Sequence, residues 1–359
     1  MNKNRYCVIM AGGVGARFWP ISRTRKPKQF LDILNTGKTF IQNTFDRFSE
    51  LVPTENFLVV TNSAYRDIVL EQLPRLKESQ ILLEPLGRNT GPCIAYAAFR
   101  LKATNPDALM IVTPSDHLVL DSGTFRSVVS EAVDFAENND ALVTIGVKPT
   151  RPATGYGYIQ VSKPVNHTGI NKVRTFTEKP DKELARLFLD SGEFFWNSGI
   201  FIWKTDVILR ALKDYLPEIH QSFASIGQYY NTPSEQRYID EIYPECRAIS
   251  IDYGVMEKAS NVYMRAGEFG WSDIGTWSSL YQHAQKDEWG NTDEGNTFTF
   301  DTHNCVIKVP AHKIAVLEGL DNYIVVDTDD VLMVCPKNNE QNVKKYIDSI
   351  RFAKGSDFV

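Results

Sequence analysis

Short apolar runs alternate with helical stripes through the first 150 residues. Tyr6–Met10, Phe57–Thr61, Gln80–Leu83, Ala108–Val112 and Ala141–Val147 read as strands. Between them Thr39–Leu51, Ala64–Lys77, Pro92–Thr104 and Gly123–Asn138 read as helices. Phe40, Ile41, Thr44, Phe45 and Phe48 fall on one helical stripe, and Ile94, Ala97, Ala98 and Leu101 on another. Strand–helix alternation implies βαβ units, so the expected fold is α/β: a Rossmann-like, mainly parallel mixed sheet flanked by helices. Ligands of such sheets bind beyond the carboxyl ends of the strands. The polar segments that stand out here, residues 11–17, 84–90 and 114–117, each follow an expected strand.

From about residue 150 to 285 the pattern is less regular. Tyr156–Val161, Lys172–Glu178, Gly199–Trp203 and Val262–Arg265 predict strands, and Asp181–Ser191, Thr205–Tyr215, Ser234–Tyr243 and Thr276–Gln285 predict helices. Asp287–Gly295 is polar and contains glycine. Beyond it Thr297–Asp301, Cys305–Val309, Ile314–Leu317, Tyr323–Asp327 and Val331–Cys335 recur as short β runs, and a helix over Asn338–Phe352 follows. The expected organisation is a large α/β domain over 1–286 and a small C-terminal β-rich domain with a terminal helix over 287–359.

The first strand runs into Ala11-Gly12-Gly13-Val14-Gly15-Ala16-Arg17, and Lys28 follows. Glycines at a strand end expose backbone N–H groups to close approach by an anion. Arg17 and Lys28 add a planar fork and a point charge suited to a polyphosphate. Position 18 is Phe, so the loop lacks the third glycine of a dinucleotide fingerprint, and no Gly-Lys-Ser/Thr follows as in a Walker A loop. Asp116, in Thr113-Pro114-Ser115-Asp116-His117, stands after a strand, where a carboxylate can hold Mg²⁺ together with phosphate oxygens. A turn or helix-capping aspartate is the plainer alternative.

Composition narrows the class. The chain has 359 residues, 43% hydrophobic and 23% charged, with a formal net charge of −5. No basic footprint for nucleic acid is present, so local cations must meet any anion. The five cysteines are scattered without C-x-x-C spacing, which suggests neither a disulfide frame nor a zinc site. No apolar run reaches membrane-spanning length, and the expected location is the cytoplasm.

The run GGVGARFWPISR…KPKQF resembles the signature of the sugar-1-phosphate nucleotidyltransferases, in particular their mannose-1-phosphate guanylyltransferase branch. The resemblance extends over essentially the whole chain. It implies an enzyme that joins GTP and α-D-mannose 1-phosphate into GDP-mannose and pyrophosphate by in-line displacement, with Mg²⁺ as cofactor. It pairs Asp273, in Gly270-Trp271-Ser272-Asp273-Ile274-Gly275, with Asp116 as the metal carboxylates. A helix cap before Ile274–Gln285 is the alternative for Asp273. Ala11, Gly12, Gly13 and Gly15 then fall to the nucleotide phosphates, and Glu84, Arg88, Asn89 and Thr90 of the EPxxRNT segment to base and ribose. Gly155 of Gly-Tyr-Gly-Tyr gives backbone access to a sugar hydroxyl. Glu178 is implied on sugar hydroxyls, Lys179 on the sugar phosphate, and Asn197, in a Trp-Asn-Ser-Gly turn, on hydroxyls. Asp252 and Lys258 of the IDYGVMEK run complete the sugar-phosphate end. A homodimer and no isomerase activity are further expectations. The competing readings are the same chemistry on glucose 1-phosphate with UTP or dTTP, and a non-catalytic nucleotide-sugar sensor.

Overall fold

The computed structural model describes residues 2–164 and 169–359. The chain forms two compact units. The first holds residues 1–12, 44–115 and 119–271, and the second 13–43, 116–118 and 272–359. The division expected from sequence runs along the chain, whereas these units cut across it. The reason lies in the apolar residues around the glycine loop: Phe18, Trp19, Ile33 and Phe40 are buried in one cluster with Ile274, Trp277, Leu280, Val306 and Ile324. Burying side chains of this size stabilises by about 1.5–3 kcal/mol each, which accounts for the loop's companions.

The first unit is built on a nine-stranded mixed sheet. Its strands are β1 (Arg5–Met10), β2 (Phe57–Asn62), β3 (Ile81–Glu84), β4 (Leu109–Pro114), β5 (Leu142–Val147), β6 (Tyr158–Pro164), β7 (Ile170–Thr177), β8 (Phe194–Lys204) and β9 (Val262–Ala266). The order is β3-β2-β1-β4-β8-β5-β9-β7-β6. The pairs β1–β2, β2–β3, β1–β4 and β5–β9 are parallel. Strand β8 runs antiparallel to both β4 and β5. Tyr6–Met10 and its fellow apolar runs are thus strands as expected, and the helices Phe40–Phe48, Thr90–Thr104 and Ser122–Asn138 fall within two residues of their predicted sites or inside them. Burial on both faces explains the near-continuous apolar runs, such as Leu142–Val147, every residue of which is buried.

Two local expectations need correction. Trp196-Asn197-Ser198-Gly199 is no turn but part of β8, whose register against β5 shifts between Thr144 and Gly146. Gly199 takes a φ of +71° there, inside the stretch where the register shifts. The helix Pro217–Ala224, which opens with a proline in its first turn, was not anticipated.

In the second unit, strands Asn296–Phe300 and Ile314–Glu318 pair in parallel, as do Val306–Lys308 and Tyr323–Asp327. Both pairings carry an offset of eighteen residues, Asn296 with Ile314 and Val306 with Ile324. This is the geometry of a coiled β solenoid, with the helix Val343–Lys354 after it. Among the described residues no helix is long and apolar enough to cross a membrane.

Trp277 is fully buried and meets Phe18 edge-on with ring centroids 5.0 Å apart. Trp277→Ala is expected to lower the unfolding free energy by about 3–5 kcal/mol. Denaturant titration measures it, and a loss under about 1 kcal/mol would contradict the packing described.

Candidate active site

The glycine loop belongs to the second unit from Gly13 onward. Gln29 Nε2 donates to the Gly13 carbonyl at 2.8 Å, and Ser22 Oγ to the Val14 carbonyl at 2.7 Å. The carbonyls are drawn to the protein, while among the described residues no hydrogen bond uses the N–H of Gly13, Val14 or Gly15. Such a row of unused donors is open to an anion. Gly15 is required twice over: its φ is +67°, and a Cβ there would collide with Cβ of Lys28. The half-buried Arg17 adds a guanidinium whose Nε is buried without a hydrogen-bond partner. Unsatisfied donors of this kind are costly without an acceptor, and an anion would supply one.

Lys28 is 3% exposed. Its ammonium donates to Asp116 Oδ2 at 2.9 Å, to the Asp116 carbonyl at 3.0 Å and to the Asp273 carbonyl at 2.7 Å. It also lies 4.9 Å from the centre of the Phe40 ring. Lys28 was expected to offer a charge to pyrophosphate. In the structure its three N–H donors are committed, and it ties the two aspartates together. Burial opposes ionisation of Asp116, but the charges of Lys28 and His117 and the Lys28 hydrogen bond outweigh it. The carboxyl is held below its ordinary value.

Neither aspartate caps a helix. Asp121 caps the helix after Asp116, and Thr276 caps the helix after Asp273. Asp273 instead sits in a strained turn. Its Oδ1 accepts from the Gly275 N–H at 3.0 Å, and a Cβ on Gly275 would stand 2.6 Å from its Oδ2. The intervening Ile274 has a φ of +40°, costly for a β-branched residue at about 1–3 kcal/mol. Complete burial of its side chain offsets a cost of that size. Of eight described non-glycine residues with positive φ, six are Asn or Asp; the other two are Ile274 and Lys179. Both adjoin residues singled out from the sequence.

The other predicted residues all lie in the first unit, Ala11 and Gly12 directly after β1. The Ala11 N–H donates to the Val60 carbonyl at 2.8 Å, and its carbonyl accepts from Thr61 Oγ1 at 2.9 Å. Glu84 turns inward: it is 5% exposed and accepts from the Tyr243 hydroxyl. A Cβ on Gly12 would be 2.9 Å from its Oε2. Burial pushes the Glu84 carboxyl up to about 7, against the pull of Tyr243 and Cys93. Arg88 donates to the Pro244 carbonyl, and Thr90 Oγ1 accepts from the Ile251 N–H at 2.8 Å. Asn89 caps the helix Thr90–Thr104 by accepting from the Thr90 N–H. It does so at φ 66° and ψ −172°, a region nearly confined to glycine.

The residues expected at the sugar converge in part. Asn197 donates to Asp252 Oδ1 at 2.9 Å and accepts from Thr144 Oγ1 at 2.9 Å. Glu178, whose side chain is 6% exposed, pairs with the exposed Lys179. Its backbone N–H and carbonyl are held by Glu257 at 3.2 Å and Tyr253 at 3.2 Å. Burial first, and the Glu178 charge second, push Asp252 up to about 7. Gly155 is exposed with open space at its Cβ position, leaving its backbone accessible; Gly157 is the crowded one, where a Cβ would strike Glu178 Oε2. Lys258 is exposed and makes no side-chain hydrogen bond or ion pair among the described residues. Tyr156 stands edge-on to Trp196 and Trp271, with ring centroids 5.0 and 5.2 Å away. Gly157, Thr144 and Tyr243 escaped the sequence reading, because a glycine in a Gly-Tyr-Gly-Tyr repeat, a strand threonine and an apolar-stripe tyrosine carry no chemical signal by themselves.

Comparison with known proteins follows the same lines. The family model described as "Nucleotidyl transferase" matches residues 6–289. A second, "MannoseP isomerase/GMP-like beta-helix domain", matches 295–350. An Escherichia coli mannose-1-phosphate guanylyltransferase is 37% identical over 96% of this chain and 75% of its own length. A protein of the same name from Salmonella montevideo is 38% identical over 96% of this chain and 73% of its own. A Thermus thermophilus crystal structure titled mannose-1-phosphate geranyltransferase superposes with a TM-score of 0.87 at 30% identity. It covers 97% of this chain and 99% of its own.

Two substitutions test the electrostatics. Lys28→Met keeps the stem and removes the ammonium, so burial acts on Asp116 with less opposition and its pKa moves up. In the wild type the depressed value means the pair stabilises at neutral pH and that its contribution is lost as pH falls through the folded pKa. Carbon NMR titration of Asp116 reads the change; an unmoved pKa would refute the assignment. Glu178→Gln removes the charge beside Asp252 and is expected to bring its titration down from about 7. A midpoint that stays put would leave burial as the whole cause.

Proposed function

This chain belongs to the nucleotidyl transferase family, and on that premise we propose that it transfers GMP from GTP to α-D-mannose 1-phosphate, releasing pyrophosphate. The observation that carries the reading is the Lys28–Asp116–Asp273 cluster beside a loop of unused N–H donors. An oxygen of the sugar phosphate forms a bond to the α-phosphorus of GTP. The bond from that phosphorus to the bridging oxygen breaks, and its electron pair leaves with pyrophosphate. The attacking phosphate is already an anion near neutral pH, so no general base is needed. The protein's work is positioning and charge compensation. Arg17 and the N–H groups of Gly13 and Gly15 face the phosphates. Asn197, Glu178 and Asp252 accept from or donate to sugar hydroxyls, with Lys179 and Lys258 at the sugar phosphate. The 84–90 loop serves the base.

The donor set suits Mg²⁺. It consists of hard carboxylate oxygens, one of them kept ionised by Lys28. Among the described residues no third His, Cys, Asp or Glu joins them, as fits an ion that takes its remaining ligands from phosphate and water. Bound by Asp116 and Asp273, Mg²⁺ would supply Lewis-acid withdrawal of charge from the phosphate oxygens. The five cysteines are free and buried, which supports a reducing, cytoplasmic setting. Phe298, Phe300, Ile314 and Val316 expose an apolar face on the paired strands of the second unit, which supports a homodimer.

Pyrophosphate release is measured with Mg²⁺, α-mannose 1-phosphate and each of GTP, ATP, UTP, CTP and dTTP. GTP-dependent release is expected, with Asp116→Asn slower by on the order of a hundredfold or more. Release with UTP or dTTP instead would overturn the base. No release with mannose, glucose or fucose 1-phosphate would favour a nucleotide-sugar sensor.

A further inference from the structure

Tyr243 has no part in the reaction as argued so far. It is wholly buried at the start of the turn Tyr243–Glu245, and its hydroxyl donates to Glu84. The other Glu84 oxygen occupies the space a side chain on Gly12 would need. The segment that begins with Tyr243 grips the 84–91 loop at three further points. Arg88 donates to the Pro244 carbonyl, the Gly91 N–H donates to the Ile249 carbonyl at 2.9 Å, and the Ile251 N–H donates to Thr90 Oγ1 at 2.8 Å. The next residue is Asp252, bonded to Asn197.

The geometry points to Tyr243 as a positioning residue for the nucleotide, one that holds the Glu84 carboxylate beneath Gly12 and so fixes the 84–90 loop against the first glycine of the phosphate loop. The inference rests on the guanylyltransferase reading. The titratable groups facing Glu84 are Tyr243 and Cys93, and burial pushes both of them up, so both stay neutral and act as donors. A carboxyl that burial has brought to about 7 is sensitive to each donor it keeps. Loss of the Tyr243 hydroxyl raises it further, so a larger fraction is neutral at pH 7 and its hold on the loop weakens.

The test compares GTP binding by calorimetry across the neutral pH range in the wild type and Tyr243→Phe, which keeps the ring. The expected result is a Kd for GTP raised about tenfold, the size of one hydrogen bond to a charged group. The pH midpoint of binding should move up, and the KM for mannose 1-phosphate should stay unchanged. A Kd and midpoint equal to wild type would overturn the inference. So would equal weakening of both substrates with a lowered Tm, since that is a packing role. Should Tyr243→Phe fail to fold, Glu84→Gln decides: its GTP binding should lose the pH midpoint, and a retained midpoint overturns the inference. A wild-type protein that does not bind GTP overturns the guanylyltransferase reading, and this inference with it.

Discussion

The buried ammonium of Lys28 is the constraint on which the second unit's chemistry depends. A lysine with 3% exposure must find acceptors for its three donors and a counter-charge for itself. It finds the acceptors in two carbonyls and one carboxylate, drawn from two segments far apart in the chain, around Asp116 and Asp273. Lys28 thereby decides where both aspartates stand and keeps one of them charged. Gly15 is part of the same arrangement, since only a glycine lets the loop lie against the lysine stem. The strained turn at Ile274 completes it, with buried apolar surface offsetting an unfavourable backbone.

Two buried acids of the first unit are held in the opposite way. Glu84 and Asp252 are buried like Lys28, but among the described residues no cation is bonded to either carboxyl, and burial brings both to about 7. The two electrostatic regimes suit two tasks. An ionised carboxylate fits a hard cation and phosphate oxygens. A carboxyl close to half-protonated, fixed by the Asn197 amide, can both donate to and accept from a neutral hydroxyl. On the proposed function, charge recognition and hydroxyl recognition would be separated by the partner given to each acid rather than by the type of acid.

Much of this was legible in the sequence because it rests on local rules. Apolar runs of five or six residues became buried parallel strands, and helical stripes became helices. The glycine loop and Asp116 followed strand ends, as open α/β sheets require. What was not legible depends on contacts distant in sequence. Nothing near Lys28 says that its donors are spent on residues 116 and 273. Tyr243 looks like the last apolar position of a helix until its hydroxyl is found on Glu84, 159 residues away. Trp196–Gly199, taken for a turn on the resemblance, lies in a strand whose register shift depends on pairing with residues 144–146. The spatial units also could not be read along the chain, since Phe18 and Trp19 are buried with residues beyond 270.

The eighteen-residue offset between paired strands has a consequence for how this chain tolerates change in length. In a solenoid each coil is stacked on the one before, and side chains alternate inward and outward along it. One residue inserted within the strand Tyr323–Asp327 would carry Val325, packed with Cys305 and Ile307, to the side on which Ile324 and Val326 pack with Val306. A whole coil of eighteen would preserve the alternation. Growth and loss in this region are therefore quantised: lineages should differ here by complete turns of the solenoid, with odd-sized gaps confined to the bends between strands.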